Sequence, residues 1–217
     1  LFDMNNDFTY IKSIGDTTYT STGFGNSSLL LTEDKLFVGA LYEDTTATDS
    51  GAVYLFNTSD GSLIRKVKGS NPEANDNFGM SIAVDGNILY VGAYYKKDSG
   101  GVAGWGSVYK IDITTGEELS IYNAEDYDNR TNLITVAPYF GFTLSLIGTE
   151  LWVGAYNATS SASKNSGAVY VIDTTTGDKI KKVEAVSDVV TSKTNFGWSM
   201  KSTKRLLAIG APNTVSS

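Results

Sequence analysis

The chain has 217 residues, a net charge of −7 and only 19% charged residues, which excludes the clustered basic surface that a nucleic-acid backbone requires. With neither cysteine nor histidine, it can build no thiol nucleophile, disulfide, Cys/His zinc site or Ser–His–Asp arrangement. No apolar run approaches the roughly 18 residues of a membrane-spanning helix; no signal peptide is visible, and a start at Leu1 leaves room for an upstream segment.

In chain order, Leu1-Phe2-Asp3 matches the end of a strand seen again at Leu55-Phe56-Asn57, and Ile11-Lys12-Ser13-Ile14 matches a strand seen again at Ile64 and Ile180. A four-part unit then repeats. Its first part is Phe24-Gly25, Phe78-Gly79, Phe140-Gly141 and Phe196-Gly197. Its second is Val38-Gly39-Ala40, Val91-Gly92-Ala93, Val153-Gly154-Ala155 and Ile209-Gly210-Ala211-Pro212. The third is Gly51-Ala52-Val53-Tyr54, Gly106-Ser107-Val108-Tyr109 and Gly167-Ala168-Val169-Tyr170. The fourth is a turn at Asp60-Gly61, Thr115-Gly116 and Thr176-Gly177, leading into Ile64-Arg65-Lys66-Val67, Leu119-Ser120-Ile121-Tyr122 and Ile180-Lys181-Lys182-Val183.

Each part reads as a short strand bounded by Gly, Asp, Asn and Thr. The tight turns at Glu33-Asp34, Asp85-Gly86-Asn87 and Gly148-Thr149 join the first strand of a unit to its second. Leu36 and Val38 alternate with Phe37, and Leu151 and Val153 with Trp152, so both faces of the second strand are apolar. A sheet stacked between two neighbours needs that pattern. The predicted fold is all-β, a β-propeller of four-stranded antiparallel blades at about 24–68, 78–123 and 140–185, with half blades at 1–14 and 196–212. A β-sandwich is the alternative, but it does not require identical four-strand units. Joining the two halves would close a four-bladed ring; the reading taken is that residues 1–217 form one segment of a longer propeller.

The succession Phe-Gly, Val-Gly-Ala-(Pro), Gly-Ala-Val-Tyr resembles the FG-GAP repeat, best known from the seven-bladed propeller of integrin α subunits. The resemblance implies an extracellular or cell-surface propeller used for adhesion, ligand recognition or subunit docking. Integrin-type blades often carry an Asp-x-Asp-x-Asp-Gly calcium loop between their first two strands. Here that space holds only Thr32-Glu33-Asp34-Lys35, Asp85-Gly86-Asn87 or Gly148-Thr149-Glu150, too few oxygens for a six- to eight-coordinate ion. The expectation is the short variant, without metal or other cofactor. A second resemblance, to quinoprotein propellers, rests on Ile111-Asp112-Ile113-Thr114-Thr115-Gly116-Glu117 and Val171-Ile172-Asp173-Thr174-Thr175-Thr176-Gly177-Asp178; the plainer reading is that both families use one Asp-x-x-Thr-Gly hairpin turn.

In such a fold the loops from second to third strand share a rim with those entering each blade, and that rim is the expected binding face. These loops carry Tyr42, Glu43, Asp44, Tyr94, Tyr95, Lys96, Lys97, Trp105 and Tyr156, with aromatic residues of the kind enriched at recognition surfaces. Tyr42, Tyr94 and Tyr156 follow the same motif, so capping of their own blades is the competing reading. Glu125, Asp126 and Asp128 gather carboxylates in one loop, a weak cation candidate whose spacing breaks at Arg130; a solvated acidic loop is the simpler account. Sequons at Asn57, Asn129 and Asn157 permit N-glycosylation, while Asn26, expected to sit beside a buried Phe-Gly, is the sequon least expected to be modified.

The expected function is a non-catalytic extracellular module that binds a protein or glycan partner, or copies of itself in a surface assembly, with no nucleic acid and no membrane insertion. The alternative is the propeller portion of an enzyme, quinoprotein-like or hydrolase-associated, whose catalytic residues lie elsewhere.

Overall fold

Alternating apolar residues with β-branched or aromatic side chains on both faces favour strands buried between layers. The computed structural model describes residues 2–3, 9–10, 13–14, 22–44, 46–127, 137–159, 166–185, 194–203 and 205–213. Three four-stranded antiparallel sheets follow one another along the chain. The first comprises β3 (Phe24–Leu31), β4 (Lys35–Ala40), β5 (Ala52–Asn57) and β6 (Leu63–Val67). The second is β7 (Phe78–Asp85), β8 (Ile88–Ala93), β9 (Ser107–Asp112) and β10 (Glu118–Asn123); the third is β11 (Thr143–Ile147), β12 (Glu150–Ala155), β13 (Ala168–Asp173) and β14 (Lys179–Glu184). Two-stranded sheets flank them, β1 (Phe2–Asp3) with β2 (Thr9–Tyr10), and β15 (Ser199–Ser202) with β16 (Leu207–Gly210). Each four-stranded sheet is a meander in sequence order.

The cores lie between sheets. On β5, Val53 and Leu55 join a cluster with Phe78, Leu89, Val91 and Tyr109 of the second sheet, while Tyr54 and Phe56 face the other way toward Phe24 and Val38. On β8, Leu89 and Val91 share that first cluster, while Tyr90 packs with Phe140, Leu151 and Tyr170 toward the third sheet. The strand period of two thus delivers one set of side chains to each neighbour.

Backbone joints hold the sheets at this spacing. The Phe78, Phe140 and Phe196 amides donate to the carbonyls of Ser50, Trp105 and Ser166 of the preceding sheet, at 3.0, 3.1 and 2.9 Å. A hydroxyl joint repeats beside each of them. Ser81 Oγ donates to the Gly141 carbonyl at 2.7 Å, Thr143 Oγ1 to the Gly197 carbonyl at 3.1 Å, and Ser28 Oγ to the Gly79 carbonyl at 2.7 Å. The middle glycine of Val-Gly-Ala lies under this bond: a Cβ at Gly92 would overlap both Ser81 Oγ and the Gly141 carbonyl. The motif therefore records a close approach between two sheets.

The outer hairpin turns also have a local cause. Asp112 Oδ1 accepts the Thr114 and Thr115 amides at 2.7 and 2.9 Å, and Asp173 Oδ1 accepts those of Thr175 and Thr176 at 2.7 and 3.2 Å. These donated N–H groups hold both carboxyls below their ordinary value. Side-chain capping of this kind explains the Asp-x-x-Thr-Gly pattern without any cofactor. One helical turn, α1 (Ala124–Tyr127), follows β10; a single turn leaves no periodicity to find in the sequence.

Candidate functional site

The strands β3, β7, β11 and β15 line a shared cavity. Its upper part has a volume of about 390 Å³ and is lined by Ser27 to Leu29, Met80 to Ile82, Phe142 to Leu144, Trp198 and Met200. A lower part of about 200 Å³ continues past Leu30, Val84, Leu146 and Ser202. Phe142 and Trp198 each follow a Phe-Gly pair, so the start of the inner strand delivers both to the upper mouth.

An aromatic belt runs from this mouth outward. Trp198 lies 5.0 Å from Phe142 and 4.6 Å from Tyr156, and Phe142 lies 4.6 Å from Tyr156. Tyr94 meets Phe142 edge-on at 5.5 Å and Tyr95 at 5.9 Å. Tyr139 stacks between Tyr156, at 5.1 Å, and Tyr95, at 6.0 Å. These separations fall in the favourable range for aromatic pairs. Trp198 is 43% exposed and Tyr95 37%. Burial raises the phenols of Tyr94, Tyr139 and Tyr156, with neighbouring phenols adding to it, and Tyr156 reaches about 12.

Tyr139 reaches its place at a backbone cost. It has φ 57°, as do its counterparts before Phe-Gly, Asn77 (φ 54°) and Asn195 (φ 56°). Asparagine tolerates that region and its amide here bonds back to the preceding loop, Asn77 Nδ2 to the Leu41 carbonyl at 3.2 Å and Asn195 Nδ2 to the Tyr156 carbonyl at 3.3 Å. Tyrosine is a poor choice for left-handed backbone. At this one position the repeat exchanges an anchoring amide for a ring in the belt.

Of the residues expected on the rim, Tyr94, Tyr95 and Tyr156 come together in the belt. Tyr42 adjoins it: it is exposed, its ring covers Gly23, and its hydroxyl contributes to raising Tyr94. Trp105 does not belong there. It is 5% exposed and packs in the core with Phe140 and Ala158, because its carbonyl and the following Gly106 lie in the joint to the third sheet.

The charged candidates hold loops in place. Glu43 is buried, accepts the Tyr54 hydroxyl at 2.6 Å and pairs with Lys66 at 2.9 Å. Asp44 accepts the Asp49 amide at 2.7 Å. Lys96 donates to Asp76 at 3.2 Å and to the Asn71 carbonyl at 3.0 Å, tying two loops together. Lys97 pairs with Glu73 at 3.1 Å.

Of the acidic loop, Glu125 accepts the Ser99 hydroxyl at 2.8 Å and Asp126 accepts the Asn123 amide at 3.4 Å; Asp128 and Asn129 lie outside the described residues. Among the described residues no three carboxylates gather as metal ligands. Asn57 shapes a turn through the Ser59 amide at 2.8 Å, and Asn157 Nδ2 donates to the Ala137 carbonyl at 2.7 Å. The Phe-Gly beside Asn26, expected to be buried, is only partly so, and Asn26 itself is exposed.

Sequence reasoning missed Phe142, Trp198 and Tyr139. For Phe142 the signal was present in the register, since its neighbour Thr143 reaches Gly197 of the next sheet and successive residues of a strand face opposite ways.

Residues 62–111 match the FG-GAP repeat. The match runs from the outer strand β6 through the third strand β9, and so contains one full set of Phe78-Gly79, Val91-Gly92-Ala93 and Gly106-Ser107-Val108-Tyr109. Repeats of this kind typically occur in extracellular proteins. No curated protein matches the chain. Among the described residues no helix is long and apolar enough to cross a membrane.

Proposed function

We propose that the chain is a non-catalytic, extracellular binding or adhesion module, a β-propeller segment of FG-GAP blades that recognises a protein or glycan partner, or further copies of itself, through one rim. The observation that carries this reading is the aromatic belt from Tyr95 to Trp198 around the mouth of the shared cavity. Rigid aromatic groups give large contact area at low conformational cost, and among the described residues the exposed Trp198 and Tyr95 lie outside the buried core clusters. The FG-GAP match over residues 62–111 supports the extracellular assignment.

The test is attachment of protein-coated beads to cell surfaces and extracellular matrix. The paired variant Tyr95→Ala with Trp198→Ala is expected to lose attachment, while Glu117→Gln in an exposed outer turn keeps it. Beads that never attach, or that attach equally well with the paired variant, overturn the proposal.

A further inference from the structure

The geometry points to a sugar-binding site at the upper mouth of the shared cavity, one that takes a pyranose unit of a neutral oligosaccharide against Trp198, Phe142 and Tyr156. This assignment rests on the rim reading above and names the ligand class for it.

Three properties of the mouth select the ligand. The first is charge: none of the described residues lining the upper cavity is ionisable. A cation entering it would shed water without gaining a counter-charge, and an anion would meet no donor charge. The occupant is therefore neutral.

The second property is hydrogen-bond polarity. A hydroxyl has one hydrogen and two lone pairs. Ser27 and Ser28 give their hydrogens to the Gly79 carbonyl at 3.0 and 2.7 Å, Ser81 to that of Gly141, and Thr143 to that of Gly197. What these oxygens still offer to the cavity they line is acceptor capacity. The occupant must be a donor, and a sugar hydroxyl is one.

The third property is the aromatic face. Trp198 is braced by Phe142 and Tyr156 within 5.0 Å, so its ring is held in place before any ligand arrives, which lowers the cost of ordering on binding. A pyranose ring presents a face of C–H groups to such a surface and hydroxyls at its edge, the same combination of apolar face and donors that the first two properties demand. The volume of about 390 Å³ lies within the range of small-molecule sites, about 300–1,000 Å³. Tyr139, held at φ 57°, extends the aromatic surface outward, where further units of a chain would lie.

The test is titration calorimetry of the whole chain with uncharged hexasaccharides of glucose, mannose, galactose and N-acetylglucosamine. At least one is expected to bind with Kd below about 1 mM, and Trp198→Ala to weaken it by about tenfold or more. Trp198→Phe should retain most of the affinity, and raising salt from about 50 to about 500 mM should leave Kd unchanged, because no charge pairing is screened.

A matching denaturation midpoint shows that Trp198→Ala remains folded. Absence of binding by the whole panel, binding indifferent to Trp198→Ala, or binding lost in salt each overturns the sugar assignment. If beads attach through the rim to a protein partner while no sugar binds, the sugar assignment falls and the rim reading stands. If Trp198 and Tyr95 matter to neither assay, both fall.

Discussion

The Ser81 hydroxyl donates to the Gly141 carbonyl at 2.7 Å across the gap between two successive sheets, with both groups buried. Removing the donor takes a hydrogen-bond partner from a buried carbonyl. Ser81→Ala is expected to cost about 1–3 kcal/mol, read as a lowered denaturation midpoint. An unchanged midpoint would show that the joint carries no stability.

The glycine beneath that bond is more demanding. Gly92→Ala places a methyl group into the Gly141 backbone, and backbone cannot rotate away as a side chain can. We expect a loss at the upper end of the overpacking range, about 3 kcal/mol or more. Gly86→Ala is the control: nothing lies within 4 Å of its Cβ position, and only its φ of 55° opposes the change, at about 1 kcal/mol. Equal losses at the two sites would contradict the close-approach explanation.

The two tryptophans should separate in stability. Trp105→Ala empties a core position at 5% exposure and should cost about 3–5 kcal/mol. Trp198→Ala, on the rim, should cost much less than that. Urea denaturation of the two variants side by side checks the assignment of one to the core and the other to the surface.

Acid titration should reveal carboxyls of opposite sign. Burial raises Asp76 above 3.8, against the donated Glu73 amide and Lys96, and its Oδ1 has no hydrogen-bond partner. A carboxyl that holds its proton more tightly when folded makes stability fall as pH rises from 3.8 to its folded value. The midpoint of Asp76→Asn relative to the unaltered chain should therefore climb over that interval. Asp173 is lowered by the Thr175 and Thr176 amides, so its contribution is present above 3.8 and is lost as pH falls toward its folded value. Asp173→Asn should then be destabilising at neutral pH and lose that penalty in acid.

Much of this architecture can be read directly from residues. The alternation of Leu36, Phe37 and Val38 announces burial on both faces, and Phe37 and Val38 do enter different cores. The Asp-x-x-Thr-Gly turns are local chemistry, with Asp112 and Asp173 bonding amides two and three residues ahead. The site was less legible because its parts arrive from separate sheets. Tyr94, Phe142 and Trp198 are far apart in the chain and meet only when successive sheets pack together. Trp105 misled for the converse reason: a loop position next to Gly106 looks exposed until the joint to Phe140 is drawn. Glu43 and Lys96 likewise read as surface charges, yet their partners Lys66 and Asp76 come from other segments.

The hydroxyl joints between sheets connect residues 51, 60 and 54 positions apart, at Ser28–Gly79, Ser81–Gly141 and Thr143–Gly197. Contacts of such long sequence separation form late and slow folding. During synthesis, a sheet whose own four strands have paired still lacks the acceptor for its hydroxyl until the next Phe-Gly turn has emerged. Each repeat is thus completed by its successor, and a chain interrupted between repeats would hold its last finished sheet with an unsatisfied edge, a ready point of capture for chaperones and proteases.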